Sequence, residues 1–460
     1  MARADSLAGY REQFESLARD QGLDFHPVDF ELVPESFMME VAVYGLPVRM
    51  AHWSFGVRYI HQYVQHKMGH SRIFEVIFPG NPNRAFLQQS NGLAENILVI
   101  AHVLGHADFS KHNALFVRMQ DEAGYQIVDQ AAARAERIDA AGREHGPEAV
   151  EKLLDAALAL EQYIDISKSM HRPLYPKYTQ DNAPGRPRSE FEARYRSLPG
   201  EKITEDGREC TRPAAIPPYP EADLLWFAAH YAPELEPWER DILLAVREES
   251  WYFYPLFACQ IMNEGWASYW HARLLREADF VPHEHYLDAI RAHSDVVRPY
   301  AADQQVSLAL NPYHLGFRIW EDIIEREGLQ AAFRIRTEED DFSFVRNFLT
   351  EELAEELGLF TFDWEGAPGR SQAVVGKRDV HRLCEAIVAP KFNYGAPRVA
   401  AVELAHDGSL LLQQDARTDG RGLDLKRARM VLEYLHRIWR RPVRLKTQDE
   451  EGKATVLQVQ

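Results

Sequence analysis

Cysteine is scarce in this chain: among 460 residues there are three, Cys210, Cys259 and Cys384, far apart and odd in number. That pattern excludes a disulfide framework and a CxxC metal clip, and it fits a reducing compartment. Long apolar runs are missing as well. Stretches such as Ile97 to Ala101 and Leu224 to Ala229 fall far short of the roughly 20 residues a membrane span needs. The first residues, MARADSLAGYREQFESLARD, alternate charges along an amphipathic helix and lack the apolar core of a signal peptide. A cytoplasmic protein without a membrane span is the expectation. Basic charge is in deficit, since 52 Lys and Arg against 70 Asp and Glu leave a net charge of −18. Nonspecific binding to nucleic acid or to an anionic membrane surface is therefore disfavoured. No GxxxxGK[ST] loop, GxSxG elbow or GxGxxG fingerprint occurs, so nucleotide hydrolysis and serine-hydrolase chemistry have no support.

What the chain does have is two distant segments that read as halves of one metal site. Asn96 to Asn113, NILVIAHVLGHADFSKHN, places His102 and His106 at i and i+4 on an otherwise apolar helix. Both imidazoles leave the same face about one turn apart, the spacing of a helical zinc site. Cys259 to His271, CQIMNEGWASYWH, is nearly apolar all round yet carries a stripe of Gln260, Glu264, Ser268 and His271 at helical intervals. Glu95 and Asn113 extend the face of the two histidines by about two turns each way. Burying such groups without partners costs roughly 1–3 kcal/mol each, and more for an ionised carboxylate. A divalent cation would satisfy them together. Glu95, Asp108, His112, Asn113 and Gln260 are expected to support the ligands, Asp108 and His112 by holding a ring nitrogen. Glu249, near the buried face of the run WERDILLAV, is a reserve ligand or base. His66 and His70 are also four apart, but their polar segment and Gly69 read as solvated.

At these residues the chain resembles the stage V sporulation protein R (SpoVR) family. The likeness runs through HWSFG, NPNRAFL, LVIAHVLGHADFSKHN, VREESWYFYP, IMNEGWASYWH, NPYHLGFRIWEDI, DDFSFVRNFLT and LDLKRARMVLEYLHRIWRRPVRL, nearly the whole chain. It implies a connection with the spore cortex, a modified peptidoglycan layer, and with stress or stationary-phase operons in bacteria that do not sporulate. It also implies a PrkA-type serine kinase and a YhbH-type protein as partners. HVLGH further resembles the zincin motif HExxH, with Val103 in the place of the catalytic glutamate, and EGWASY resembles the segment that brings the third ligand in glutamate-type zinc peptidases. By that likeness His102, His106 and Glu264 are the ligands of zinc, or of iron or manganese. A zincin needs its glutamate to take a proton from water, so another group must serve, with Glu249, His271 and Glu95 as candidates, or the protein is not such a hydrolase.

Helical spacing or composition dominates over Ser6 to Asp20, Leu93 to Gln120, Ala131 to Glu144, Pro147 to Ile164, Trp238 to Ser250, Cys259 to Arg276 and His283 to Val297. A further helix opens at Asn311 with Pro312 at its first position and ends near Gly328, and another spans Phe342 to Leu357. RIFEVIF, Arg72 to Phe78, reads as a short strand. The proline-rich stretch 171–220 reads as irregular, a surface loop or a lid. After Asp379, RVAAVELA and SLLLQQDA flank the turn HDG, and a helix and two strands follow. The expected architecture is mainly α: a large helical, zincin-like body over residues 1–370 and a small C-terminal α+β module over 379–460. Metal-dependent amide or peptide hydrolysis in cell-envelope remodelling is one functional expectation. The other is a noncatalytic regulator or scaffold.

Overall fold

Short polar side chains start many of the helices. Asn311, Asp340, Thr350, Asp379 and Asp424 each accept a backbone N–H of the first turn that follows them, satisfying donors that have no partner within the helix. The computed structural model describes residues 2–67, 75–167, 216–298, 310–365, 372–375, 379–416 and 422–460. In chain order the elements are α1 (Ala2–Asp20), β1 (Val28–Val33), α2 (Glu35–Tyr44), α3 (Trp53–Lys67), β2 (Glu75–Phe78), β3 (Asn83–Gln88), α4 (Leu93–His112), α5 (Ala114–Ala123), α6 (Ile127–His145) and α7 (Pro147–Ala159). Then come α8 (Leu224–Tyr231), α9 (Pro237–Ala258), α10 (Gln260–Glu277), α11 (His283–Val296), α12 (Pro312–Glu327), α13 (Leu329–Glu338), α14 (Asp341–Phe348) and α15 (Glu351–Glu356). The hairpin β4 (Phe362–Glu365) and β5 (Gln372–Val375) precedes α16 (Val380–Val388). After it follow β6 (Val399–Leu404), β7 (Leu410–Gln414), α17 (Leu425–Trp439), β8 (Val443–Gln448) and β9 (Ala454–Val459).

Two compact units result, one of residues 1–151 with 248–395 and one of residues 152–247 with 396–460. The first is mainly helical. Its centre is α10, packed against α4 and α12. Trp266 of α10 meets Trp320 of α12 edge-on at 4.8 Å and Trp270 at 5.7 Å, and all three indoles are fully buried. A small sheet of order β1-β3-β2 accompanies these helices, with β1 parallel and β2 antiparallel to β3.

The second unit holds the sheet β6-β7-β8-β9. β6 and β7 form the expected hairpin, and α17 crosses over to bring β8 parallel to β7. Leu432, Leu435, Ile438 and Trp439 are the buried face of α17. The grouping differs from a linear division at residues 370 and 379. Glu221 pairs with Ala401 at the β6 edge through two 2.8 Å backbone hydrogen bonds, and Phe227 stacks on Trp439 at 5.7 Å. Residues 152–247 thus contribute sheet and core contacts to the C-terminal module.

Two expected helices are broken. Leu93 to Gln120 divides at Asn113, whose side-chain oxygen caps α5 through Leu115 N. Phe342 to Leu357 divides at Leu349 and Thr350, where Thr350 caps α15. The strand predicted over 72–78 is seen as β2 from Glu75, its first three residues lying outside the described ones. Most of the proline-rich stretch, 171–215, also lies outside them, as do His70 and Cys210. Among the described residues no helix is long and apolar enough to cross a membrane.

Candidate metal centre

Helix α4 is buried along nearly its whole length, from Asn96 to Ser110. Its N-terminus is held by Glu95, whose carboxylate accepts the Gly92 N–H at 2.5 Å. One helical turn separates His102 from His106, and their Nε2 atoms face each other at 3.0 Å. Helix α10 supplies the other side. Glu264 Oε2 stands 3.3 Å from His106 Nε2 and 3.6 Å from His102 Nε2. A ligand atom from each of the three residues lies within 4.8 Å of the others.

The hydrogen bonds around this cluster point lone pairs inward. His106 Nδ1 lies 2.9 Å from Asn263 Oδ1, which can only accept, so Nδ1 carries the proton and Nε2 is left with its lone pair. Glu264 Oε2 is buried and accepts no hydrogen bond. Two electron-rich atoms, His106 Nε2 and Glu264 Oε2, therefore converge at His102 Nε2, which costs free energy unless a proton there or another positive charge sits among them. The electrostatics agree. Burial pushes the Glu264 carboxyl up, but the positive charge of His106 and contacts with His102 outweigh it and hold the carboxyl well below its usual range. Burial lowers His106, and Glu264 with Asn263 overrides that effect and raises it. The site accommodates one positive charge well, either a proton on His106 or a metal ion bound by both imidazoles and the carboxylate, so the residues present fit a divalent cation.

A cavity of about 510 Å³ opens beside the cluster, and Glu75, Glu95, His102, His271, Asp295, Asn311 and Tyr313 supply its polar lining. Glu75 and Tyr313 were not singled out from the sequence. Glu75, at the start of β2, has Oε1 at 3.8 Å from His102 Nε2, and burial raises its carboxyl above the usual range. The Glu264 charge and then burial push the Tyr313 hydroxyl well up. Asn263 and His293, the partners of His106 and His271, were also missed. Glu75 carries the same kind of signal as Glu264, an acid inside an apolar run. Asn263 is its immediate neighbour in the stripe-bearing helix.

The other predicted residues are placed as follows. His271 joins the cluster, with Nδ1 at 2.9 Å from His102 Nδ1 and Nε2 at 2.5 Å from His293 Nδ1. Both of its ring nitrogens are thereby engaged, which leaves no free lone pair for a substrate proton. Glu249 is in a buried ion pair with Arg49 at 2.6 Å and does not line the cavity. Asp108 binds Arg336, Trp266 Nε1 at 2.9 Å and Asp24 N at 2.9 Å, holding helices together and touching no ligand ring. His112 bonds to Asp24. Asn113 caps α5 and donates to the carbonyls of Arg336 and Glu339. Gln260 accepts from Lys391 at 3.2 Å. Among the supporting residues only Glu95 reaches the cavity, and there it also caps α4.

Comparison with known proteins gives two family matches. The model for SpoVR like protein matches residues 2–391, and that for the SpoVR-like C-terminal domain matches residues 398–450. The chain is 28% identical over 496 residues to the uncharacterized protein YcgB of Escherichia coli (strain K12), covering 99% of this chain and 94% of that protein. No solved structure matches.

Proposed function

The chain belongs to the SpoVR family, and we propose that it is a cytoplasmic metal-dependent hydrolase of amide or peptide bonds, acting in spore-cortex or cell-envelope remodelling or in the stress response. The observation that carries the reading is the convergence of His102, His106 and Glu264 beside a cavity. Imidazole and carboxylate ligands suit zinc, iron or manganese, and zinc is the assignment made here. A divalent ion held there supplies Lewis-acid polarisation of a carbonyl and activation of water.

Proton transfer falls to the chain's own side chains. Val103 occupies the position of the zincin glutamate and is fully buried in the core, so that position contributes no base. Glu75 supplies a carboxylate from a different element, at 3.8 Å from His102 Nε2 and on the cavity wall. With its carboxyl raised by burial, it can take a proton at its carboxylate oxygen and return it to a departing amine. Tyr313 lines the same wall and offers a hydroxyl.

The test is elemental analysis of the purified protein, followed by incubation of the zinc-loaded form with a pool of muropeptides and detection of released amines. Glu75→Gln should keep the metal and lose about 10²- to 10⁴-fold in rate. Protein that takes up no zinc, or a Glu75→Gln variant as fast as the parent, sinks the proposal. A second reading, a noncatalytic regulator or scaffold working with a PrkA-type kinase and a YhbH-type protein, draws on the buried Val103. Under it the metal is structural and the Glu75→Gln cell behaves as the parent does.

A further inference from the structure

Three histidine rings from three helices form a row leading away from the ligand cluster. His102 of α4 meets His271 of α10 through their Nδ1 atoms at 2.9 Å, and His271 Nε2 meets His293 Nδ1 of α11 at 2.5 Å. His102 and His271 are 4% and 1% exposed, whereas His293 is only half-buried. The row thus runs from the cluster towards solvent. Burial and the neighbouring imidazoles push His271 well down, and burial lowers His293 to about 4.

A neutral imidazole has one N–H and one lone pair, and each nitrogen-to-nitrogen contact holds one proton. Two orderings of the row are therefore consistent. In the inward ordering His293 donates from Nδ1 to His271 Nε2, His271 donates from Nδ1 to His102 Nδ1, and His102 keeps its proton on Nε2, facing His106 and Glu264. In the outward ordering His102 donates from Nδ1, His271 donates from Nε2, and His293 keeps its proton on Nε2. The two states carry the same number of protons. They differ by whether one proton sits among the ligand atoms or at the far end of the row. The inward state suits an empty cluster, because His102 then offers a donor to the buried acceptors. Only the outward state frees the His102 Nε2 lone pair for a metal.

We propose that His102, His271 and His293 form a tautomeric relay, in which His271 and His293 are positioning residues that hold the His102 Nε2 lone pair on the metal position and transfer the displaced proton to His293 Nε2. The inference rests on the metal-site reading above. It assigns His271 an internal role in place of proton abstraction from a substrate, and it makes His293 a reporter of occupancy outside the ligand set.

The test uses the full chain labelled with 15N-histidine, titrated with Zn²⁺ alone and followed by long-range 1H–15N correlation, which distinguishes Nδ1–H from Nε2–H rings. One equivalent of zinc should move the N–H of both His271 and His293 from Nδ1 to Nε2. Uptake of zinc with the tautomers of His271 and His293 unchanged overturns the relay and leaves the metal site standing. Failure to take up zinc removes both. In a second measurement, competition with a chelator, His271→Leu should lower zinc affinity about 10- to 100-fold, as loss of a ligand's outer partner typically does. His271→Gln, which can accept from His102 and donate to His293, should restore most of it. Equal zinc affinity in His271→Leu and the parent overturns the relay, and the spectra of the unaltered protein decide the matter should that variant fail to fold.

Discussion

Gly105 of α4 and Ala267 of α10 lie so close that a methyl group added to the glycine would stand 2.7 Å from the Ala267 Cα. The other side of α10 repeats the arrangement, since a methyl on Gly265 would stand 2.2 Å from the Gly316 carbonyl carbon in α12. Gly105 precedes His106 and Gly265 follows Glu264 in sequence. The close helix contacts are thus made at the positions that bring His106 and Glu264 together. Gly105→Ala and Gly316→Ala should each lower stability by about 1–3 kcal/mol or more, because the obstruction is backbone and cannot rotate away. Each should also weaken zinc retention. Denaturant unfolding with metal analysis checks this, and variants with parental stability would show that the helices can separate freely.

How far the centre was legible in the sequence follows from where its parts lie. His102, His106 and Glu264 stood out because each interrupts a helix that is otherwise apolar, and burial makes such interruptions costly. Glu75, His293 and Tyr313 come from three further elements, and only tertiary packing brings those to α4. The break at Asn113 was hidden for a similar reason. The helical pattern continues through it, and the side chain's role depends on the Arg336 and Glu339 carbonyls more than 200 residues away. The hairpin, helix and returning strands near the C-terminus were readable from the HDG turn and local periodicity. Their packing with residues 152–247 was not, because no local pattern encodes it.

Asp108 and Arg336 form a buried ion pair, with side chains 0% and 8% exposed. Burial raises the Asp108 carboxyl against the pull of Arg336. Arg336→Met leaves that carboxylate with Trp266 Nε1 and Asp24 N but no countercharge, and should destabilise by about 3–5 kcal/mol. The double change Asp108→Leu with Arg336→Met should recover part of the loss. Thermal unfolding of the single and double variants provides the comparison, and a harmless Arg336→Met would show that the pair contributes no stability.

Asp341 accepts the N–H groups of Ile261 and Met262 at the start of α10 and pairs with Lys391 at 3.1 Å. Burial nevertheless pushes its carboxyl up to about 6, from a usual value of 3.8. The folded state then binds this proton more tightly than the unfolded chain does. Its contribution to stability is full below pH 3.8 and is lost as the pH rises through about 6. Relative to Asp341→Asn, the parent should lose up to about 3 kcal/mol between pH 4 and pH 7, by the conversion of about 1.4 kcal/mol per pKa unit. Urea unfolding of both proteins across that range isolates the effect, and a difference that stays flat refutes the assignment.

Zinc binding at the centre should couple to folding, because the ligand atoms of His102 and His106 come from one helix and that of Glu264 from another, far away in sequence. The unfolded chain cannot present them together, so an ion held by all three would bind the folded state and stabilise it. At free zinc one hundred times its Kd the gain is about 2.7 kcal/mol. Chelation should therefore lower the unfolding temperature of the parent, and added zinc should restore it. Alanine at His102, His106 or Glu264 should abolish the response and reduce bound zinc. Glu249→Gln is the control. Its carboxylate is held by Arg49 away from the cavity wall, so the change should cost stability by breaking that buried ion pair while zinc stoichiometry stays at one. Loss of zinc from Glu249→Gln with retention in Glu264→Ala would move the ligand set to Glu249 and overturn the site described here.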